Sequence, residues 1–246
     1  MKFTSGLLGA LVLFAGTTSQ AGVIFTPASL AAAEGANANA VGGLFGTSAF
    51  TGQIQIAASE LAAQGLFAGA LITDVAARLD GGMATGPSSN VVVSNLALTL
   101  AQAANTVAGM STTFASNLLN PVTVYNASYT LIANSMPGGN TPNAFGAKVV
   151  FTTPYIYQGG DLVFEFTKPA TTDTLTFDST SNSYTGAGTL YQNLFALSQN
   201  ATTGTLQNGL SIVAFDFTPV PEPAAVVSCG AGLAALAFTR RWLKTR

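Results

Sequence analysis

Residues 22–219 of this chain predict an all-β fold, an antiparallel β-sandwich of jelly-roll-like form. The first observation is a hydrophobic period of two. Ile54 and Ile56 alternate with Gln53 and Gln55, and Leu96, Leu98 and Leu100 with Asn95, Ala97 and Thr99. Leu162, Phe164 and Phe166 alternate with Asp161, Val163 and Glu165, and Val213, Phe215 and Phe217 with Ile212, Ala214 and Asp216. The second is the punctuation. Asp80-Gly81-Gly82, Gly86-Pro87, Pro137-Gly138-Gly139-Asn140, Gly159-Gly160 and Gly186-Ala187-Gly188 separate the runs without long helical patterns between them.

Taken in order, the chain opens with a secretory leader. Lys2 precedes the apolar stretch Leu7 to Ala15, polar residues follow, and the small residues Ser19 and Ala21 occupy the −3 and −1 places of a cut before Gly22. These are the three parts of a signal peptide spanning residues 1–21. The Ala/Gly/Asn-rich stretch Ala28 to Gly46 reads as a loose lead-in. Ala57 to Ala70 and Thr112 to Leu119 read as short helices. Val91 to Val93, Val122 to Leu131, Lys148 to Tyr157, and Leu175 with Phe177 add extended segments.

The last 27 residues form a three-part tail. Val220-Pro221-Glu222-Pro223 is held extended by its prolines, which fix φ and lack amide protons. Ala224 to Phe238 is an apolar run of 15 residues, roughly 22 Å as a helix. A bilayer core is about 30 Å thick, so this single transmembrane helix is a marginal anchor. Arg240, Arg241, Lys244 and Arg246 follow as a membrane stop that stays cytoplasmic by the positive-inside rule. This arrangement resembles the PEP-CTERM sorting signal of bacterial envelope proteins over residues 220–246. The resemblance implies export through the Sec machinery and signal peptidase, transient inner-membrane anchoring with the N-terminal side outside, and processing by an exosortase-type membrane protease. Delivery to the cell surface or medium follows from it, in bacteria that make exopolysaccharide. Ile72 to Gly81 and Thr153 to Leu162 also look like the β-rich ectodomains that accompany such tails.

Composition narrows the chemistry. Residues 22–219 carry three basic residues, Arg78, Lys148 and Lys168, against nine acidic ones, a net charge of −6. That excludes nucleic acid as a partner. The chain has no His, which removes the usual general base, the Ser-His-Asp arrangement and the commonest transition-metal ligand. Its one cysteine, Cys229, lies in the apolar run, so residues 22–219 form no disulfide. No calcium-loop spacing and no phosphate-binding glycine loop occurs. No cofactor and no metal is therefore expected.

Two groups of residues remain as candidates. Asp161 and Glu165 share a strand face, as a carboxylate pair for glycoside hydrolysis would need. Tyr155 and Tyr157 share a face of another strand and are the candidate glycan contact, their rings suited to stacking on sugars; Tyr125 and Tyr129 form a similar pair. Partly buried sandwich tyrosines explain the same spacing. Three functions stay open: a non-catalytic structural or adhesive component of the envelope or exopolysaccharide matrix, a carbohydrate-binding module, and a secreted glycan-active enzyme. Mass spectrometry of the mature protein from its host is expected to place the N-terminus at Gly22, between Ala21 and Gly22; a start before Gly16 would refute the leader assignment.

Overall fold

The computed structural model describes residues 21–39, 42–172 and 175–219. The leader before Ala21, the sorting motif, the apolar run and the basic residues after it lie outside the described residues. Among the described residues no helix is long and apolar enough to cross a membrane.

Among the described residues there are twelve strands: β1 (Gly22–Thr26), β2 (Asn37–Asn39), β3 (Phe50–Ile56), β4 (Leu71–Arg78), β5 (Val91–Ala103), β6 (Leu118–Leu131), β7 (Phe145–Ile156), β8 (Leu162–Lys168), β9 (Phe177–Ser179), β10 (Tyr191–Ala196), β11 (Thr205–Gln207) and β12 (Val213–Thr218). They pair antiparallel into a four-stranded sheet, β1-β12-β4-β7, a six-stranded sheet, β11-β10-β3-β8-β5-β6, and the small ribbon β2-β9. The protein is therefore all-β and sandwich-like. The inward faces of both large sheets share one hydrophobic core. Phe164 of β8 and Phe215 of β12 meet edge to face across it, ring centroids 5.1 Å apart.

The alternating runs are the strands expected from them. Val91 to Val93 and Leu96 to Leu100 turn out to be one strand. The register shifts between Val93 and Leu96, where Asn95 takes φ +53°. Asn tolerates the left-handed region better than other side chains, and the bulge keeps both runs facing inward. Strand β4 is not among the runs the period of two marks, because Ile72 and Val75 both face the core on either side of a register shift that breaks the alternation.

The helices are shorter than the sequence suggests. Helix α1 covers Ala58–Ala63 and stops where Gly65 turns left-handed at φ +84°. Thr112 to Leu119 holds only a 3-10 turn, Phe114–Asn117, before β6 begins. The segment Ala28 to Gly46 is not a loose lead-in. Leu44 and Phe45 are buried in the core, and β2 pairs with β9.

What holds that segment down is a buried ion pair. Arg78, 1% exposed, reaches the 0% exposed Asp178 with Nε–Oδ2 and Nη2–Oδ2 distances of 2.8 and 2.6 Å. Nη1 and Nη2 also donate to the carbonyls of Ala31 and Ala33, and the guanidinium lies 5.2 Å from the Phe145 ring centre. Asp178 in turn accepts the Gly35 N–H at 3.0 Å. Asp178→Ala leaves a buried guanidinium unpaired and is expected to cost about 3–5 kcal/mol in urea denaturation of residues 22–219. The double change Arg78→Met with Asp178→Leu is expected to recover much of that loss, because it removes both charges.

Candidate functional site

Strand β3 is buried on both faces, which explains its unusual alternation of Ile with Gln. Ile54 and Ile56 face the core, while Gln53 and Gln55 face the opposite side of the six-stranded sheet, beneath residues 105–117. Gln53 Nε2 donates to the Phe114 carbonyl at 2.9 Å and to Glu165 Oε2 at 2.6 Å, and its Oε1 accepts from Asn117 Nδ2 at 2.9 Å. Asn117 Oδ1 accepts from Ser111 N and Asn105 Nδ2. Gln55 Nε2 donates to the Asn105 carbonyl at 2.7 Å and to Asp161 Oδ2 at 3.3 Å. A segment that buries Val107, Met110 and Phe114 is thus also fastened to the sheet by amides.

This layer decides the reading of the two carboxylates. Asp161 and Glu165 do share a face, as the strand period predicts. Four strand residues separate their Cα atoms by about 13 Å, and each carboxylate is engaged by a different glutamine. Asp161 Oδ1 also accepts the Ala58 N–H at 2.9 Å, capping α1, whose own N-cap residue, Ala57, has no capping side chain. Glu165 borders a mainly apolar cleft of about 440 Å³ with Thr51, Phe114, Thr167 and Asn200. Burial pushes its carboxyl above the ordinary range against the opposing Gln53 hydrogen bond. Both carboxylates hold structure together: one caps a helix, the other anchors the covering segment.

The candidate glycan contact is corrected. Tyr155 and Tyr157 share a face, but it is the core face: each is 3% exposed, and Tyr155 pairs with Ile72 of β4. The Tyr157 hydroxyl donates to the Gly160 carbonyl, and burial pushes it up to about 12. Their aliphatic neighbours face solvent instead, Val150 at 64% and Ile156 at 55%. Neither tyrosine presents a ring to a sugar. Tyr125 and Tyr129 pack edge to face on β6, 6.4 Å apart, with Phe45 stacked on Tyr129. Gly22 of the expected cleavage site is the first residue of β1 and pairs with Phe217, which leaves no room for a larger residue there. Ala21 lies just before the strand and is exposed.

Two features escaped sequence reasoning because tertiary structure assembles them. Glu34, Asp80 and Asp178, from three distant segments, bring one carboxylate oxygen each within 4.8 Å of one another. Arg78 brings positive charge to the group, Gly81 N–H donates to Glu34 Oε1 at 2.6 Å, and burial raises both Glu34 and Asp80. The second is a cleft of about 300 Å³ between β10, β11 and the segments at Ser179–Asn182 and Gly209–Ser211. It has an aromatic wall of Phe50, Phe166 and Phe195 and a rim of amides and hydroxyls. The local signal for it, Asn and Gln scattered among Gly and Ser, is indistinguishable from ordinary loop composition.

No family model, curated protein or solved structure matches the chain.

The buried ionisable groups set a pH dependence. Desolvation raises Glu34, Asp74, Asp80 and Glu165, so the folded state binds more protons than the unfolded one just above their ordinary values. That stability is present in acid and lost as pH rises through the raised values. Lys168 runs the other way. Its ammonium is fully buried against the carbonyls of Gly46, Ser48 and Pro169, and burial lowers it to about 8 from 10.5. The folded state then binds fewer protons between these values, so stability grows as pH rises across that window. Calorimetry of residues 22–219 is expected to give a minimum Tm near pH 7–8, with higher values near pH 4.5 and pH 9.5.

Proposed function

We propose that this chain is an exported protein, sorted by its C-terminus and delivered to the cell surface or medium as a non-catalytic structural or adhesive component of the envelope or exopolysaccharide matrix. The observation that carries the reading is the order of parts in the tail: Val220-Pro221-Glu222-Pro223, a short apolar run, then Arg240, Arg241, Lys244 and Arg246. An exosortase-type membrane protease is the processing partner in this reading, and the inner membrane is a transient one. The character of the domain is consistent with this role. Its two titratable carboxylates on a shared strand face are tied into packing, and two of its three basic residues, Arg78 and Lys168, are buried, which leaves an acidic, hydroxyl- and amide-rich exterior.

A jelly-roll-like topology is the finer architecture we propose, and the pairing supports it. Setting aside β2, β9, β10 and β11, eight strands remain. The first pairs with the last, β3 with β8, β4 with β7, and β5 with β6. That is one long hairpin folded over on itself. Its functional consequence is that Gly22, where the leader would be cut, pairs with Phe217, three residues before the sorting motif.

Three variants in the native host test the sorting proposal by fractionation and immunoblotting. Replacing Pro221, Glu222 and Pro223 with Ala is expected to leave the protein membrane-bound and unprocessed, because anchoring does not need the motif. Neutralising the four terminal basic residues is expected to weaken retention or invert orientation. Deleting residues 220–246 is expected to release unsorted protein. A motif variant processed and delivered like the wild type would sink the proposal.

A further inference from the structure

We propose that the cleft beside β10 and β11 is a binding site for a neutral sugar unit. The inference concerns the β domain alone and stands whether or not the tail is a sorting signal.

The site is built on the inner face of the six-stranded sheet, at the end where the core gives out. Phe166, Phe50 and Phe195 form a stack, with centroid separations of 5.5 and 6.0 Å and interplanar angles of 11° and 14°. Gly52 lies beneath it; a Cβ there would come within 2.8 Å of both the Phe50 and Phe166 rings, so the stack requires a glycine. Gly42 makes room for Phe50 from the other side in the same way. Phe195 is only partly buried, and Leu197, 59% exposed, extends the apolar wall to the mouth. The result is a flat apolar surface that ends in solvent.

Beside the rings, on the same face of the sheet, stand amides, since Asn193 lies two residues from Phe195 on β10 and pairs with Gln207 of β11. Asn193 Nδ2 and Gln207 Nε2 both donate to the Gly209 carbonyl, at 2.7 and 3.3 Å. Their N–H groups are thereby oriented by the fold, while their amide oxygens take no hydrogen bond among the described residues and remain as acceptors. The exposed Asn182 adds an amide that makes no hydrogen bond among the described residues. The two segments that close the other side of the cleft, residues 179–182 and 209–211, are fixed to each other. Thr180 N donates to the Leu210 carbonyl at 2.9 Å, Leu210 N donates to Thr180 Oγ1 at 3.0 Å, and Ser179 bridges Ser211.

No charged side chain is among the residues lining the cleft. An aromatic surface flanked by amide acceptors, without charge, suits a ring with one apolar side and several hydroxyl donors at its edge. An anionic ligand would find no cation there. A purely apolar ligand would bury the amide oxygens unpaired, which costs free energy. A cleft of about 300 Å³ is at the small end of ligand sites and fits a single sugar or the end of a chain rather than a polymer laid along the surface.

Titration calorimetry of the full chain, in a detergent without a sugar headgroup, tests this with glucose, galactose, mannose, N-acetylglucosamine and their disaccharides, and with glucuronate and decanoate as contrasts. At least one neutral sugar is expected to bind with Kd about 1 mM or tighter, and saturation-transfer NMR is expected to show its ring protons closest to the protein. Asn182→Ala with Gln207→Ala, at partly exposed positions, is expected to weaken binding at least about tenfold while leaving Tm within a few degrees. Phe195→Leu, which keeps an apolar filler but removes the ring, is expected to weaken binding and abolish the ring-proton signal. Absence of binding by every neutral sugar, binding of glucuronate or decanoate in preference, or affinity unchanged in both variants would each overturn the proposal.

Discussion

Four strands of chain converge on the guanidinium of Arg78. It leaves β4, pairs with Asp178 of β9, and donates to the carbonyls of Ala31 and Ala33, while Phe145 of β7 covers its face. Removing two charges from water is costly, and the arrangement is stable because Nε and Nη2 converge on one carboxylate oxygen while two carbonyls accept from Nη1 and Nη2. The consequence is positional. Residues 31–35, poor in apolar side chains, cannot hold themselves down by burial, so the ion pair does it for them. With that segment fixed, Leu44 and Phe45 reach the core, and Asp178 is placed so that Ser179 to Asn182 border the amide-walled cleft.

A second device of the same kind works on the other sheet. The turn-rich segment 105–117 buries Val107, Met110 and Phe114, and Gln53, Gln55 and Asn117 fasten it further to the outside of β3. Lys168 does so again for the loop at Gly46 and Ser48. A chain with so few charges uses amides, one arginine and one lysine as internal rivets. They leave the exterior to hydroxyls, amides and carboxylates. The edge strand β1 is closed in the same idiom: Gln64 of the turn after α1 accepts from Phe25 N at 2.7 Å and donates to Phe25 O at 3.0 Å, taking the place of a neighbouring strand.

Much of the sandwich was legible because its signal is local. Ile54, Leu98, Phe164 and Phe215 are all core residues, and each announces itself through the residue two places away. The segment Ala28 to Gly46 misled because its order comes from partners more than 40 residues distant. The helix expected over Ala57 to Ala70 was overstated because alanine favours a helix everywhere, while Gly65 ends it at one place. Tyr155 and Tyr157 were correctly placed on one face, and that face was the core.

The sequence by itself determined the order of apolar, proline-bearing and basic stretches at the two ends, the absence of His and of a disulfide, the acidic balance and the period-two strands, since each is read from the chain without its fold. Only the tertiary structure decided which charges are interior, because burial of Arg78, Asp178 and Lys168 depends on partners from other strands. It alone also decided that Asp161 caps a helix, that the paired tyrosines are covered, and that Phe50, Phe166, Phe195, Asn193 and Gln207 meet in one cleft. Such a cleft is a relation among four strands, β3, β8, β10 and β11. No spacing in the chain encodes it, because β10 must first pair onto β3, and β11 onto β10, before the rings and amides lie side by side.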